Sequence, residues 1–212
     1  MDWIDEIKTR LLDVADRVNL AIDKSLEAFF RDEPKKAGEV MELEELLDRM
    51  EVELEEHAVS ILEREKPEGY PLRFIISALK INNDLERMGD HAVDIATAAV
   101  RLHECGTRDI PPLLPLMIDR ARGLMRKSLK ALVEEDMSLS LQVRGEDVVV
   151  DRYASEILAE LAERGAREPA GVPSFMYILL VVRSVERIAD LATNIAEDII
   201  YLVEGTIIRH VG

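Results

Sequence analysis

Acidic side chains recur in this sequence at a spacing that suits cation binding. Residues 86–90 read ERMGD and residues 186–190 read ERIAD, one hundred positions later. Because each residue of an α-helix advances by about 100°, Glu86, Asp90 and Asp94 lie on one helix face. Carboxylates held this close repel one another, whereas a multivalent cation turns the same arrangement into a coordination site. The predicted chemistry is therefore metal binding by carboxylates.

A second pair of acids precedes each of these motifs. Glu44 and Asp48 are four residues apart, and Asp147 and Asp151 repeat that spacing after 103 positions. Antiparallel packing of neighbouring helices places such a pair opposite the later motif, so we predict one metal site in each repeat. The predicted ligands are Glu44, Asp48, Glu86, Asp90 and Asp94 in the first repeat, and Asp147, Asp151, Glu186, Asp190 and Asn194 in the second.

The ligand atoms of both predicted sites are oxygens, which favours hard cations such as Mg, Ca, Mn or iron over zinc. Asn194 stands where the first repeat has Asp94, and it offers a neutral carbonyl oxygen instead of a charged carboxylate. We therefore expect the first site to bind metal more tightly or to hold more ions. The alternative is that the acids form solvated helix faces, because a chain with 43 acidic residues contains many such pairs by chance.

Arginines accompany the acids in both repeats. Arg87 and Arg187 follow the glutamates at 86 and 186, and Arg49 and Arg152 follow the aspartates at 48 and 151. We interpret these arginines as partners in interhelical ion pairs, with an anion-holding role as the alternative. For Gly89 the preferred interpretation is close packing between helices.

The elements that position the acids are predicted to be helices. All eight prolines fall at four places, and apolar residues recur at helical spacing in the long stretches between them. We predict an all-α chain in which Gly106, Gly165 and Gly205 end three of the helices. The six predicted helices cover residues 3–31, 35–65, 71–104, 113–135, 137–165 and 174–204.

The duplication extends beyond the acids and divides the chain into two halves. Asp16-Arg17 reappears as Asp119-Arg120, and the KSL at 24–26 reappears at 127–129. Three long helices with short connections pack as antiparallel neighbours. We therefore predict two tandem antiparallel three-helix bundles related by internal pseudosymmetry, in residues 1–106 and 107–212.

Composition narrows the functional classes. A formal net charge of −16 and an aromatic content of 4% argue against nucleic-acid binding. The chain has a single cysteine, and its N-terminal segment is acidic where a signal peptide is basic. The longest apolar run, residues 175–182, is too short to span a membrane. We expect a cytoplasmic protein that meets the membrane only peripherally, with a homodimer as one oligomeric option.

The segments LKINNDLERMGDHAVDIA and LVVRSVERIADLATNIA resemble the repeated signature of the PhoU family of phosphate-uptake regulators. The resemblance covers nearly the whole chain, including the tandem three-helix repeats and the Glu/Asp-x-x-x-Asp motifs. It implies multinuclear metal clusters, with iron or zinc among the metals. The implied partners are the ATPase of a phosphate transporter and a membrane sensor histidine kinase.

Three functional hypotheses remain open at the level of sequence. The first is a metal-binding adapter that negatively regulates phosphate uptake and phosphate-responsive signalling without catalysis. The second is a carboxylate-bridged metalloenzyme, such as a phosphatase or an oxidase, which requires an open metal position inside a pocket. The third is a purely structural helical scaffold, for which metal is irrelevant. The sequence contains neither a Glu-x-x-His motif nor a phosphate-binding glycine-rich loop, which favours the first hypothesis over the second.

Overall fold

A computed structural model describes residues 2–106 and 108–206 of the chain. These residues form six α-helices and a short 3-10 turn, and they include no β-strand. The helices are α1 Asp2–Arg31, α2 Lys36–Glu65, α3 Tyr70–Cys105, α4 Leu114–Glu134, α5 Met137–Arg167 and α6 Val172–Glu204. Each of the six predicted helices is present, and its ends lie within two residues of the predicted ones.

Local sequence explains where several helices begin. Pro71, Pro115 and Pro173 lie in the first turns of α3, α4 and α6, where a missing N–H removes no intrahelical hydrogen bond. Helix α5 begins after Asp136, whose carboxylate accepts a hydrogen bond of 3.0 Å from the backbone N–H of Leu139. This side chain satisfies one of the free N–H groups of the first turn.

Glycine ends two of the three helices for which it was predicted to do so. Gly106 and Gly205 adopt left-handed φ values of 73° and 75° at the ends of α3 and α6. The prediction for Gly165 is wrong, because α5 continues to Arg167. At Gly165 an added Cβ would lie 3.5 Å from Cγ2 of Val172, so this glycine is a contact point between α5 and the start of α6.

The helices pack as two bundles of three. Helices α1, α2 and α3 pack on one another, and so do α4, α5 and α6. Helices α3 and α6 also pack against each other and join the bundles, whereas α1 and α4 barely touch. The predicted tandem arrangement is thereby confirmed, while the limits 1–106 and 107–212 stay a prediction. None of the described helices is long and apolar enough to cross a lipid bilayer.

The contacts between α3 and α6 define their relative direction. Arg73 Nε donates a hydrogen bond of 3.3 Å to the carbonyl oxygen of Leu202, and Ser77 Oγ donates one of 3.2 Å to the carbonyl oxygen of Asp198. Lys80 Nζ lies 3.1 Å from Oδ1 of Asp198. Since residue numbers rise along α3 as they fall along α6, the two helices are antiparallel.

Candidate metal centres

Three carboxylates converge in the second repeat, where α5 packs against α6. Asp147 and Asp151 come from α5 and Asp190 from α6, and one carboxylate oxygen of each lies within 4.8 Å of the others. Oxygens bound to one Ca²⁺ or Mg²⁺ at about 2.0–2.6 Å are at most about 5 Å apart, so the three fit around a single ion. Among the described residues, no other three His, Cys, Asp or Glu side chains meet this limit.

Asp147 is the most constrained member of this group. Its Oδ1 is buried and has no hydrogen-bond partner among the residues that the structure describes. Burial, the largest cause, and the charges of Asp151, Asp190 and Glu186 together raise the pKa of Asp147 to about 6. A buried acceptor without a donor is costly, and a bound cation would remove that cost. The donor set of this group therefore fits a hard cation.

The other two carboxylates of the group are also perturbed. Burial is the main cause that raises the pKa of Asp190, opposed by Arg187 and assisted by Asp151. Burial likewise raises the pKa of Asp151, with the charge of Glu186 as the second cause. The structure therefore brings four of the predicted ligands into electrostatic contact, and the fifth, Asn194, is half-buried one turn further along α6.

The arginines beside this cluster pair within their own helices. Arg187 Nη1 lies 3.2 Å from the carboxylate of Asp190, and Arg152 Nε lies 3.7 Å from that of Glu156. The interhelical ion pairs predicted for these two arginines are therefore wrong. Residues three or four apart on a helix are neighbours, and these pairs use that proximity.

The first repeat holds a more open cluster of the same design, between α2 and α3. Burial, the largest cause, and the charges of nearby acids that include Asp90 and Asp48 together raise the pKa of Glu86 to about 7. Burial also raises the pKa of Glu44, with Asp48 and Asp90 as further causes. The acids of α2 and α3 thus face one another across the helix pair, and their role as metal ligands stays a prediction.

Asp94 lies at the margin of the first cluster. Its side chain is 62% exposed, and its Oδ2 lies 3.3 Å from Nδ1 of His91. The compact group of carboxylates lies in the second repeat, whereas we expected tighter metal binding in the first. The expectation that Asp94 gives the first site a higher metal affinity stays a prediction.

Glu51 also belongs to the first cluster, although the repeated motifs did not predict it. Its charge helps to raise the pKa of Glu86 across the helix pair, after burial and the charge of Asp90. Glu51 lies seven residues after Glu44 and therefore on the same helix face. The spacing from Glu44 could have identified Glu51 from sequence. Comparison of the repeats could not, because the counterpart of Glu51 in the second repeat is Ala154.

Close packing sets the separation of α2 and α3 at the first cluster. A Cβ added to Gly89 would lie 2.7 Å from Cδ1 of Leu47, so a side chain at position 89 would collide with α2. The interpretation of Gly89 as a packing residue is confirmed. In the second repeat Ala189 takes the place of Gly89, and Val150 takes the place of Leu47. The side chain on α6 is thus one carbon larger, and the side chain on α5 is one carbon smaller.

Comparison with known proteins identifies the family. The family model described as "PhoU domain" matches this chain twice, over residues 11–99 and 114–199. These segments coincide with the two bundles. The chain belongs to the PhoU family.

Relatives in the PhoU family match the chain over nearly its full length. The chain is 34% identical to the "Phosphate-specific transport system accessory protein PhoU homolog" of Pseudomonas putida, over 99% of this chain and 82% of the relative. It is 34% identical to the protein of the same description in Aquifex aeolicus, over 98% of this chain and 94% of the relative. These names describe accessory proteins of phosphate transport.

Crystal structures of PhoU proteins share the fold. The structure of PhoU from Pseudomonas aeruginosa superposes with a TM-score of 0.91 at 32% identity and covers 95% of this chain and 97% of that one. The phosphate transport system regulatory protein PhoU from Streptococcus pneumoniae superposes with a TM-score of 0.88 at 22% identity, covering 97% of each chain. The second likeness concerns the fold alone.

Proposed function

We propose that this PhoU-family chain is a metal-binding regulatory adapter that restrains phosphate uptake and phosphate-responsive signalling without catalysing a reaction. The observation that carries the metal-binding part is the convergence of Asp147, Asp151 and Asp190 around a buried carboxylate oxygen without a donor. The regulatory part is supported by relatives described as accessory proteins of the phosphate-specific transport system.

The acids would act as clamps between neighbouring helices. A cation held by Asp147, Asp151 and Asp190 would neutralise like charges and tie α5 to α6. In the first repeat, Glu86 and Asp90 with the acids of α2 would tie α3 to α2 in the same way. Oxygen ligands favour Mg, Ca, Mn or iron, and the family resemblance adds zinc to the metals worth testing.

An adapter fits the surroundings of the second cluster better than an enzyme does. Asp151 is exposed on α5, so the cluster opens onto a helix face. A metal on an open helix face presents a rigid, charged surface to another protein.

The proposed partners are the ATPase of the phosphate transporter and a sensor histidine kinase, met at the cytoplasmic side of the membrane. Deletion of the gene in its host tests this role. Phosphate uptake or phosphate-responsive transcription should rise when phosphate is plentiful, and the wild-type gene should restore the normal level. If deletion leaves both quantities unchanged, the regulatory role is wrong.

A direct assay distinguishes the adapter from a metalloenzyme. The metal-loaded protein should hydrolyse phosphate esters no faster than buffer with the same metal. Hydrolysis at ordinary enzymatic rates that disappears in Asp90→Asn or Asp190→Asn would support the enzyme hypothesis instead. The structural scaffold is favoured only if no metal binds at all.

A further inference from the structure

A groove of about 220 Å³ lies where the second half of α3 crosses the first half of α6. Its lining includes three guanidinium groups, from Arg101 on α3 and from Arg183 and Arg187 on α6. Asp94 is the single carboxylate among the lining residues, on a chain of net charge −16. Such a concentration of arginine on an acidic protein marks a site for a negatively charged ligand.

The other polar groups of the groove suit an oxygen-rich anion. Thr97, Ser184 and Tyr177 contribute hydroxyl groups, and Leu180 and Ala98 form an apolar part of the lining. Guanidinium groups bind phosphate through paired hydrogen bonds, and hydroxyls add donors. The groove therefore offers cations and donors for a phosphate group, with apolar surface beside them for an attached organic group.

The internal duplication supplies a comparison within the same molecule. The pseudosymmetric position across the interface has Asp198 in place of Ala98, Lys80 in place of Leu180 and Tyr201 in place of Arg101. There Lys80 Nζ binds the carboxylate of Asp198 at 3.1 Å and lies 5.4 Å from the ring centre of Tyr201. At this end of the α3–α6 contact, the protein's own carboxylate, that of Asp198, thus occupies the cationic site.

The groove at the other end has no such carboxylate, because position 98 is alanine and Asp94 pairs with His91. Each of its three arginines instead pairs with an acid of its own helix, and Arg101 Nη1 donates a hydrogen bond of 3.1 Å to Glu104. Arg183 donates a hydrogen bond of 2.8 Å to Glu186, and Arg187 donates one of 3.2 Å to Asp190. All three pairs join neighbouring residues of one helix, and such pairs contribute little to stability. A ligand with a full negative charge would displace them.

We propose that this groove is a binding site for a phosphate group, either as inorganic phosphate or as part of a small phosphate monoester. Arg101, Arg183 and Arg187 bind the phosphate oxygens, and Tyr177 and Leu180 contact the organic part of an ester. The carboxylates of Glu104, Glu186 and Asp190 compete with the ligand for Arg101, Arg183 and Arg187. This site adjoins the second carboxylate cluster, because Arg187 pairs with Asp190, but its ligand would contact arginines and not carboxylates.

Calorimetric titration of the full chain in metal-free, low-salt buffer tests the proposal. The probes are inorganic phosphate and phenyl phosphate, each added to wild-type protein and to variants. We expect saturable binding of at least one probe at millimolar concentration, weakened about tenfold by Arg187→Gln because one charge-assisted contact is lost. Glu186→Gln should tighten binding about threefold, since it releases Arg183 and removes a repelling charge. Tighter binding of phenyl phosphate identifies the ligand as an ester, and equal binding identifies it as free phosphate.

Arg87→Gln is the matched control, because Arg87 occupies the position of Arg187 in the first repeat. It makes the same change of net charge away from the groove and should leave the affinity within about twofold of wild type. The proposal is overturned if neither probe binds, or if Arg87→Gln weakens binding as much as Arg187→Gln does. Since no metal is present, the result does not depend on whether the carboxylate clusters bind metal.

Discussion

Asp147 illustrates how a single buried acid opposes folding when no metal is bound. Its Oδ1 lacks a partner, and Asp151 and Asp190 surround it with like charge. Asp147→Asn should therefore raise the free energy of unfolding of the metal-free protein, because it removes a charge that is both desolvated and repelled. The same variant should lose most of the stabilisation that added metal gives to wild type, since a ligand stabilises only the state that it binds. Urea unfolding at pH 8, with and without added Mn²⁺, measures both effects.

Glu163→Gln on the same helix provides a control for the loss of charge. Glu163 is exposed and pairs only with Arg167, at 3.3 Å. Its replacement should change the stability by less than about 0.5 kcal/mol in either condition. A metal response in Asp147→Asn equal to that of wild type would mean that Asp147 is not a ligand.

The raised pKa values of the clusters also predict the direction of a pH effect. The pKa of Glu86 is about 7 and that of Asp147 about 6, both above their ordinary values of 4.5 and 3.8. A carboxyl that binds its proton more tightly when folded contributes stability below its unfolded pKa, and this contribution is lost as the pH rises through the folded pKa. Metal-free wild type should therefore lose stability between about pH 4 and pH 7 relative to the double variant Glu86→Gln, Asp147→Asn. Urea unfolding of both proteins across this range measures the difference, and parallel pH profiles would contradict the prediction.

At the residue scale, repetition predicted the acids that face one another, but it did not predict their geometry. Glu86 and Asp147 were identified because each has a counterpart in the other repeat. Glu51 was hidden because its counterpart is alanine. The pairing of Asp94 with His91 depends on side-chain rotamers, which helical spacing does not determine. The compactness of the group around Asp147 likewise depends on the distance between two helices.

That distance belongs to the scale of elements, and Gly89 shows how it is set. Helices α2 and α3 approach closely because Gly89 has no Cβ to meet Leu47, whereas the second repeat pairs Ala189 with Val150. We predict that Gly89→Ala destabilises the wild-type background but stabilises a Leu47→Val background. In the Leu47→Val background the shorter side chain leaves room for the Cβ at position 89. The higher helix propensity of alanine than of glycine then stabilises the protein by about 1 kcal/mol.

A double-mutant cycle measured by urea unfolding tests this compensation. The two substitutions should couple by about 1 kcal/mol or more in the favourable direction. Additive effects would show that the two side chains do not set the helix separation. Gly38→Ala is a control for helix propensity alone, because nothing lies within 4 Å of a Cβ added at Gly38.

Helix ends followed the sequence because proline and glycine act locally. Pro71, Pro115 and Pro173 opened helices, and Gly106 and Gly205 ended them in the left-handed conformation that glycine adopts without strain. Gly165 could not be interpreted from sequence in the same way. A glycine near the end of a helix serves equally as a terminator or as a contact point, and only the approach of α6 distinguishes these roles.

At the scale of the whole molecule, the joint between α3 and α6 holds the bundles together. Lys80 reaches across it to Asp198, which is 1% exposed. Lys80→Met should lower the free energy of unfolding by about 1.5–3 kcal/mol, because a hydrogen bond to a buried charge is lost. Arg10→Met, which breaks an exposed pair with Glu6 inside α1, should cost less than about 1 kcal/mol. Equal losses in the two variants would contradict a structural role for the joint.

The duplication predicted that two bundles pair, but it did not predict which helices form the contact. A repeat defines each bundle through its own periodic apolar positions, whereas the joint uses a second apolar face on α3 and α6. Small buried residues such as Ala98, which lines the groove between α3 and α6, were the available signal. They are ordinary residues in any helix, so the sequence alone could not assign them to the joint.

The central claim is that the carboxylate clusters bind metal in this regulatory protein. Elemental analysis tests it most directly, on protein purified without an affinity metal and dialysed against a panel of divalent cations including iron, zinc and manganese. Wild type should retain at least one ion per chain, and the double variant Asp147→Asn, Asp151→Asn should lose at least one relative to it while keeping its helical circular dichroism. Wild type without bound metal, or a double variant that retains the same number of ions, would contradict the account.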